Sequence, residues 1–253
     1  MHRLPGRGEA VSEAIVLCYH AVSPAWPAAL AVTPAALERQ LRTFVDRGFK
    51  GATFSDAVLR PPHRRTLAVT FDDGFLSVLD RAEPILTKLG LAGTVFVPTA
   101  FMERRQPLAW NGTRRWADTP FANELRGMNW DDLGSLADRG WEIGSHTCTH
   151  PRLTELDAGT AYAQLLESRL ECERRLGTRC TALAYPYGDV DDGVADAACE
   201  AGYAAGARLS SSLTPRGPLQ WPRVGIYHGD ARLRFRLKSN AAIRRIRATR
   251  LWR

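Results

Sequence analysis

The chain has 253 residues, 45% of them hydrophobic and 24% charged, with a net charge of +7. That length suits one α/β barrel or two small domains, and the composition is that of an ordinary globular protein. No apolar run in these residues is long enough to span a bilayer as a helix.

The charge is unevenly placed. From Arg232 to Arg253 there are nine Lys/Arg and no acid; taking those nine from +7 leaves −2 for the remainder. The first eight residues are partly basic but precede no apolar stretch of signal-peptide type. A cytoplasmic protein, or one peripheral at a membrane, is the default expectation.

Strand-like and helix-like segments alternate along the chain. Ala14 to Tyr19 reads as a first strand. Thr33 and Pro34 suit the N-cap and first position of a helix running through Asp46, with Gly48 at its end. A short strand is expected near Gly51 to Phe54, then a loop over Arg60 to Arg65. Thr66 to Phe71 is the next strand, Phe75 to Leu89 an amphipathic helix stopped by Gly90, and Gly93 to Val97 a buried strand.

Pro98 to Asn129 is long and irregular, with Trp110, Trp116 and Phe121 in it. A segment of that length inside a compact domain is commonly functional, and here it reads as a wall or lid. A short helix over Asp131 to Arg139, a strand over Trp141 to Gly144 and a long helix from Thr154 (its cap) to Leu176 follow. Thr181 to Tyr185, Tyr203 to Ala207 and Arg223 to Tyr227 read as strands, with a helix over Asp191 to Ala201. Repeated β-then-α units imply parallel strands joined by crossover helices. We expect an N-terminal extension over 1–13, one α/β barrel over 14–230 and a basic tail or helix over 231–253.

Two runs are apolar and then abruptly polar: Leu67 to Gly74, ending in Asp72-Asp73-Gly74, and Trp141 to His150, ending in His146-Thr147-Cys148-Thr149-His150. Parallel strands deliver reactive groups to one rim in this way. One carboxylate and two imidazoles can hold a divalent cation with positions left open, and such a cation lowers the pKa of water from 15.7 to ~7 in favourable zinc sites. Asp73, His146 and His150 are the expected ligands, and Asp72 the base. Pro151 disfavours helix at His150, so the His pair is expected on a loop, unlike that of H-E-x-x-H proteases. Taken alone, Asp-Asp-Gly reads more readily as a turn and helix cap, and an isolated His-x-x-x-His is no stronger; the two together at strand ends favour the metal.

The five cysteines are Cys18, Cys148, Cys172, Cys180 and Cys199, without a C-x-x-C, and read as reduced thiols. Cys148 either joins the ligands or points away.

Thr70-Phe71-Asp72-Asp73-Gly74, Ser145-His146-Thr147-Cys148-Thr149-His150 and Tyr185-Pro186-Tyr187-Gly188 resemble the first three motifs of the polysaccharide deacetylases, and Leu17-Cys18-Tyr19-His20 resembles their opening strand. The resemblance runs from about Ile15 to Tyr227. It implies a distorted parallel (β/α) barrel of fewer than eight units in a single domain. It also implies hydrolytic removal of N-acetyl groups from an N-acetylated glycan, with a divalent metal, zinc or a similar cation, held by Asp73, His146 and His150. Asp72 is then the general base. The Tyr187 N–H stabilises the oxyanion, and Pro186 and Tyr187 border the acetyl pocket.

Two departures stand out. Ala184 occupies the position of the Arg that orients the base in many members; Arg223 is expected to supply that charge from a neighbouring strand. Ile226-Tyr227-His228 resembles in form the late motif whose His is the general acid, and His20 is a second candidate for acid or substrate contact. Other readings stay open: a non-catalytic glycan-binding relative, a deacetylase of a small acylated sugar or amide, and a non-haem iron site built on two His and a carboxylate. No specific nucleic-acid recognition is expected. The basic C-terminus is either a contact for an anionic membrane surface, an acidic polymer or nucleic acid, with Ile243, Ile246, Leu251 and Trp252 giving it an apolar side, or a helix docked on the barrel.

Overall fold

A computed structural model describes residues 13–249 other than 104, 106, 111, 231 and 248. All but the last residue of the expected N-terminal extension, and Leu251 and Trp252 of the tail, lie outside those residues. In chain order, β1 (Glu13–Tyr19), the short β2 (Ala21–Val22) and β3 (Ala31–Val32), α1 (Pro34–Val45), β4 (Lys50–Ala52) and α2 (Phe54–Leu59) lead to β5 (Arg65–Phe71). Then come α3 (Glu83–Lys88), β6 (Gly93–Val97), α4 (Trp130–Asp138), β7 (Glu142–Ser145), α5 (Ala158–Leu176), β8 (Ala182–Ala184), α6 (Asp192–Glu200), β9 (Ala205–Leu209), β10 (Trp221–Gly225), α7 (Arg232–Ser239) and α8 (Ala241–Arg247).

The strands run parallel in the order β1-β10-β9-β8-β7-β6-β5, and β5 pairs back to β1 along its whole length, Glu13 opposite Arg65 through Tyr19 opposite Phe71. The result is a closed, distorted barrel. β4 and β6 share one edge of β5: β4 takes Thr66 to Ala68 and β6 takes Val69 to Phe71. Helices cover the outside, where Leu67, Val69 and Phe71 of β5 meet α1 residues Leu37, Leu41 and Phe44 in one buried cluster. A Cβ at Gly93 of β6 would lie 2.3 Å from the Trp141 ring, so only glycine lets that indole close against the strand.

The inward face is lined by small residues, Ala68, Ala182, Ala184, Ala205 and Ala207, with Val16 and Phe96. The space they leave is plugged by α2, whose Phe54 meets Phe96 edge-on at 5.4 Å and donates its N–H to Thr94 Oγ1 at 2.8 Å. This corrects the expectation that the strand near Gly51 runs on to Phe54. Thr53 ends it instead and caps α2, accepting from the Asp56 N–H.

Other boundaries differ too: the last two strands are Ala205–Leu209 and Trp221–Gly225 where Tyr203–Ala207 and Arg223–Tyr227 are expected. The helix expected from Phe75 begins with a wide turn over Val78–Ala82, closed by the Glu83 N–H on the Val78 carbonyl. Pro84 has no N–H to continue regular α-helical bonding there. The cap of α5 is Asp157, which accepts from the Thr160 N–H at 3.0 Å; Thr154 sits in a separate 3₁₀ turn and donates to Asp189. The basic tail is docked on the barrel flank. Phe235 is buried against Phe44, Lys238 pairs with Asp230 at 2.6 Å, and Arg244 pairs with Glu13.

Candidate metal centre and catalytic cavity

Alternation along β5 points Ala68, Thr70 and then Asp72 into the barrel. Asp72 still belongs to the ladder, donating its N–H to the Tyr19 carbonyl at 3.0 Å. Asp73 then turns sharply, with φ 73°, and Gly74 follows with φ 73°. That turn breaks the alternation and swings the second carboxylate to the mouth. At the end of β7, His146 donates its N–H to Val97, Thr147 has φ 67° and His150 has φ 62°. The His pair therefore lies on a loop, as Pro151 requires. Among the described residues, the non-glycine residues with positive φ are Asp73, Thr147, His150 and Tyr187, and all four build this one site. Left-handed backbone at such residues is costly and is held only by over-determined surroundings.

The three expected ligands meet. His146 Nε2 lies 3.6 Å and His150 Nε2 3.4 Å from Asp73 Oδ1, and all three are buried. His146 Nδ1 is 2.7 Å from the Ala184 carbonyl, which fixes the proton on Nδ1 and leaves the Nε2 lone pair facing Asp73. The His150 ring is clamped by its neighbours. Trp110 stacks on it at 4.5 Å and 19°, and Tyr187 meets it edge-on at 4.8 Å. Burial pushes the His146 imidazole down to about 4 despite Asp72 and Asp73 beside it, so it is neutral near pH 7. Burial alone would raise the Asp73 carboxyl, but His150, His20 and His146 hold it below its usual range. A carboxylate and two imidazoles aimed at one point are the donor set of a three-ligand divalent site such as zinc, and the residues fit that ion. Cys148 is not in the cluster; its thiol is turned to the Gln164 carbonyl at 3.5 Å.

Asp72 sits behind this group in a buried ion pair. Arg223 of β10 donates from Nη1 to Oδ1 at 2.6 Å and from Nη2 to Oδ2 at 2.7 Å, a bidentate fork, and Nη1 also reaches Thr70 Oγ1 at 3.0 Å. Both side chains are almost fully buried, and the guanidinium lies over the Phe96 ring at 5.5 Å. Burial by itself would raise the Asp72 carboxyl; Arg223, first among its neighbours, drives it well below the carboxylate range. The charge absent at Ala184 thus arrives from β10. Sequence reasoning missed Cys18, whose Sγ–H donates to Asp72 Oδ2 at 3.4 Å. The signal was available: Cys18 is opposite Thr70 in register and has its inward parity.

These groups open into a cavity of about 410 Å³ lined by His20, Asp72, Asp73, His146, His150 and Tyr187, with Trp110 and Thr113 from the long irregular segment forming one wall. Of Trp110, Trp116 and Trp130, each of which could stack on a sugar ring or pack the long segment down, Trp110 alone lines the cavity. Trp116 packs on Trp26 at 5.9 Å, and Trp130 is buried. Pro186 is buried in the turn and presents Tyr187, which has φ 62° and carries the Arg152 guanidinium over its ring at 4.2 Å. Arg152 was not anticipated. Gly188 has φ 70°, and a Cβ there would lie 2.3 Å from Leu209 Cβ. His228 is a correction: it is exposed and outside the cavity lining, its N–H donating to the Ala29 carbonyl at 2.9 Å. Tyr227 and His20 line the cavity on that side, with His20 Nδ1 buried and without a hydrogen-bond partner.

Comparison with known proteins places the chain in a family. The family model described as polysaccharide deacetylase matches residues 60–206, which carry both acidic and histidine motifs. YxkH of Bacillus subtilis (strain 168) is 23% identical over 79% of the chain, which spans 66% of that relative's length. The fold is shared with the Streptococcus pyogenes deacetylase PplD, solved in complex with acetate (TM-score 0.73, 21% identity, 87% of this chain and 95% of that one). It is shared too with IcaB from Ammonifex degensii (TM-score 0.69, 20% identity, 91% and 99%). With more than half of its length matched by that model, the chain belongs to the polysaccharide deacetylase family.

Proposed function

We propose that the chain is a metal-dependent hydrolase that removes N-acetyl groups from an N-acetylated glycan. The observation that carries this reading is the convergence of Asp73, His146 and His150 beside an ionised Asp72 in one cavity. A divalent cation bound by the first three, zinc or one like it, would polarise the acetamide carbonyl and acidify a water.

The remaining work falls to the chain's own groups. Asp72 accepts the proton of the attacking water. Arg223 donates to each of its oxygens and Cys18 also to Oδ2, which keeps it ionised and fixes its orientation where it lines the cavity. The Tyr187 N–H donates to the developing oxyanion, and the Tyr187 ring borders the acetyl group. His20 protonates the departing amine, in place of His228. Trp110 holds the His150 ring and offers an aromatic wall to a sugar.

The charge absent at Ala184 is the feature that would favour a non-catalytic relative; the Arg223 fork on Asp72 supports the catalytic reading instead. The facial-triad iron reading leaves Asp72 and its buried guanidinium without a purpose.

The test is acetate release from a panel of N-acetylated glycans and small N-acetylated sugars, with and without chelator. Release that stops on chelation and returns with added metal is expected. Metal-loaded protein that liberates no acetate from any of them, while binding glycan, would leave only the binding reading.

A further inference from the structure

Large apolar side chains exposed to solvent are few here, and three of them sit in the docked basic tail. Leu233 and Leu237 on α7 are 71% and 49% exposed, and Ile246 on α8 is 54% exposed. Leu233 and Leu237 are four apart and share one face; Phe235, between them, points the other way into the core. The cations around them are largely uncommitted. Lys238 and Arg244 pair with Asp230 and Glu13, but Arg232, Arg234 and Arg236 are exposed and form no ion pair among the described residues. Arg232 and Arg236 also face Arg39 of α1 across a cavity of about 140 Å³ that Thr43 and Asp230 line as well, Asp230 being paired with Lys238.

We propose that the α7 flank, with the notch between α1 and α7, docks on an anionic lipid surface. Leu233, Leu237 and Ile246 enter the headgroup boundary, and Arg39, Arg232 and Arg236 take a lipid phosphate. The combination selects this partner. A second copy would bring the same arginine-rich face, whose one acid in the notch, Asp230, is already paired with Lys238, and would be repelled. A nucleic acid would satisfy the arginines but leave exposed leucines without a role. An interfacial helix needs both an apolar face and flanking cations. This surface does not depend on the reaction assigned to the barrel.

The experiment is co-sedimentation of the full chain with phosphatidylcholine vesicles, with and without phosphatidylglycerol, and with duplex DNA as a second polyanion. Removing the whole tail would expose the Phe44 pocket, so point variants are used. Binding to the phosphatidylglycerol vesicles alone is expected. Leu233→Ser with Leu237→Ser should weaken it roughly tenfold or more. Arg39→Gln with Arg232→Gln and Arg236→Gln should weaken it on the order of a hundredfold. Both variants should melt like the parent, because every altered side chain is exposed. Equal binding to phosphatidylcholine alone, or vesicle binding untouched by the leucine pair, overturns the proposal. So does DNA binding that matches vesicle binding and ignores the leucines, which would make the flank a general polyanion surface.

Discussion

Arg223→Ala tests the buried pair on which the proposed base depends. The guanidinium makes two bonds to Asp72, at 2.6 and 2.7 Å, with both side chains out of water. Its removal leaves a carboxylate whose burial favours the neutral acid and whose remaining protein donor is the weak Cys18 thiol. Loss of an adjacent Arg should return the carboxyl upward by roughly 1–3 units. Because the base works only when ionised, the acid limb of kcat/KM moves to higher pH by that amount, with about tenfold less activity per unit below it.

Stability changes with the same sign. In the parent, the depressed Asp72 carboxyl contributes stability that is present above its unfolded value of about 3.9 and lost as pH falls through the folded one. Breaking one side of such a pair costs about 3–5 kcal/mol, a fall in melting temperature on the order of 10 °C. Adding Asp72→Asn to Arg223→Ala should recover part of that loss, since no charge is stranded. Arg223→Lys should fall between, keeping the charge without the fork. The assays are a pH–rate series and thermal melts of the four proteins. An acid limb that stays in place in Arg223→Ala, with melting unchanged, would refute the account of Asp72.

Asp72→Asn should keep its metal and lose roughly 10²–10⁴ of turnover, whereas Asp73→Ala should lose the metal itself, read by elemental analysis of purified protein. His20→Ala should cost activity while His228→Ala, at an exposed position outside the cavity, leaves it intact; the reverse would restore His228 as the acid. In chelated protein, protonating His146 opposes folding, because its folded value is held near 4 against 6.5. Stability should therefore be full above about 6.5 and fall as pH drops toward 4, on the order of 3 kcal/mol in urea melts. Gly188→Ala forces a Cβ against Leu209 at positive φ, and should cost about 1–3 kcal/mol while disturbing the Tyr187 turn.

The site was legible in the sequence where backbone pattern alone decides it. Asp72 and Asp73, and the His146–His150 loop, end buried strands, and a parallel barrel must bring those ends to one rim. What local pattern missed was decided by tertiary contacts. Six-residue α2 is too short to show a 3.6 period, and its place is fixed by the space above Ala68 and Ala182. Thr154 and Asp157 are both good cap residues before one helix, and the Thr154 bond to Asp189 separates them.

His228 is more instructive, because parity alone argues against it. Arg223 points into the barrel; Gly225 and Tyr227 share its parity, and a Cβ on Gly225 would lie 2.9 Å from the Tyr227 ring, which lines the cavity. Residue 228 falls out of step. His228 lies past the end of β10, its N–H held on the Ala29 carbonyl, and it lacks the left-handed turn that swings Asp73 across to the cavity, so it stays on the side opposite Arg223 and Tyr227. Choosing Arg223 as the partner of Asp72 therefore already disfavours His228 as the acid, and directs attention to a strand whose inward parity includes both Cys18 and His20.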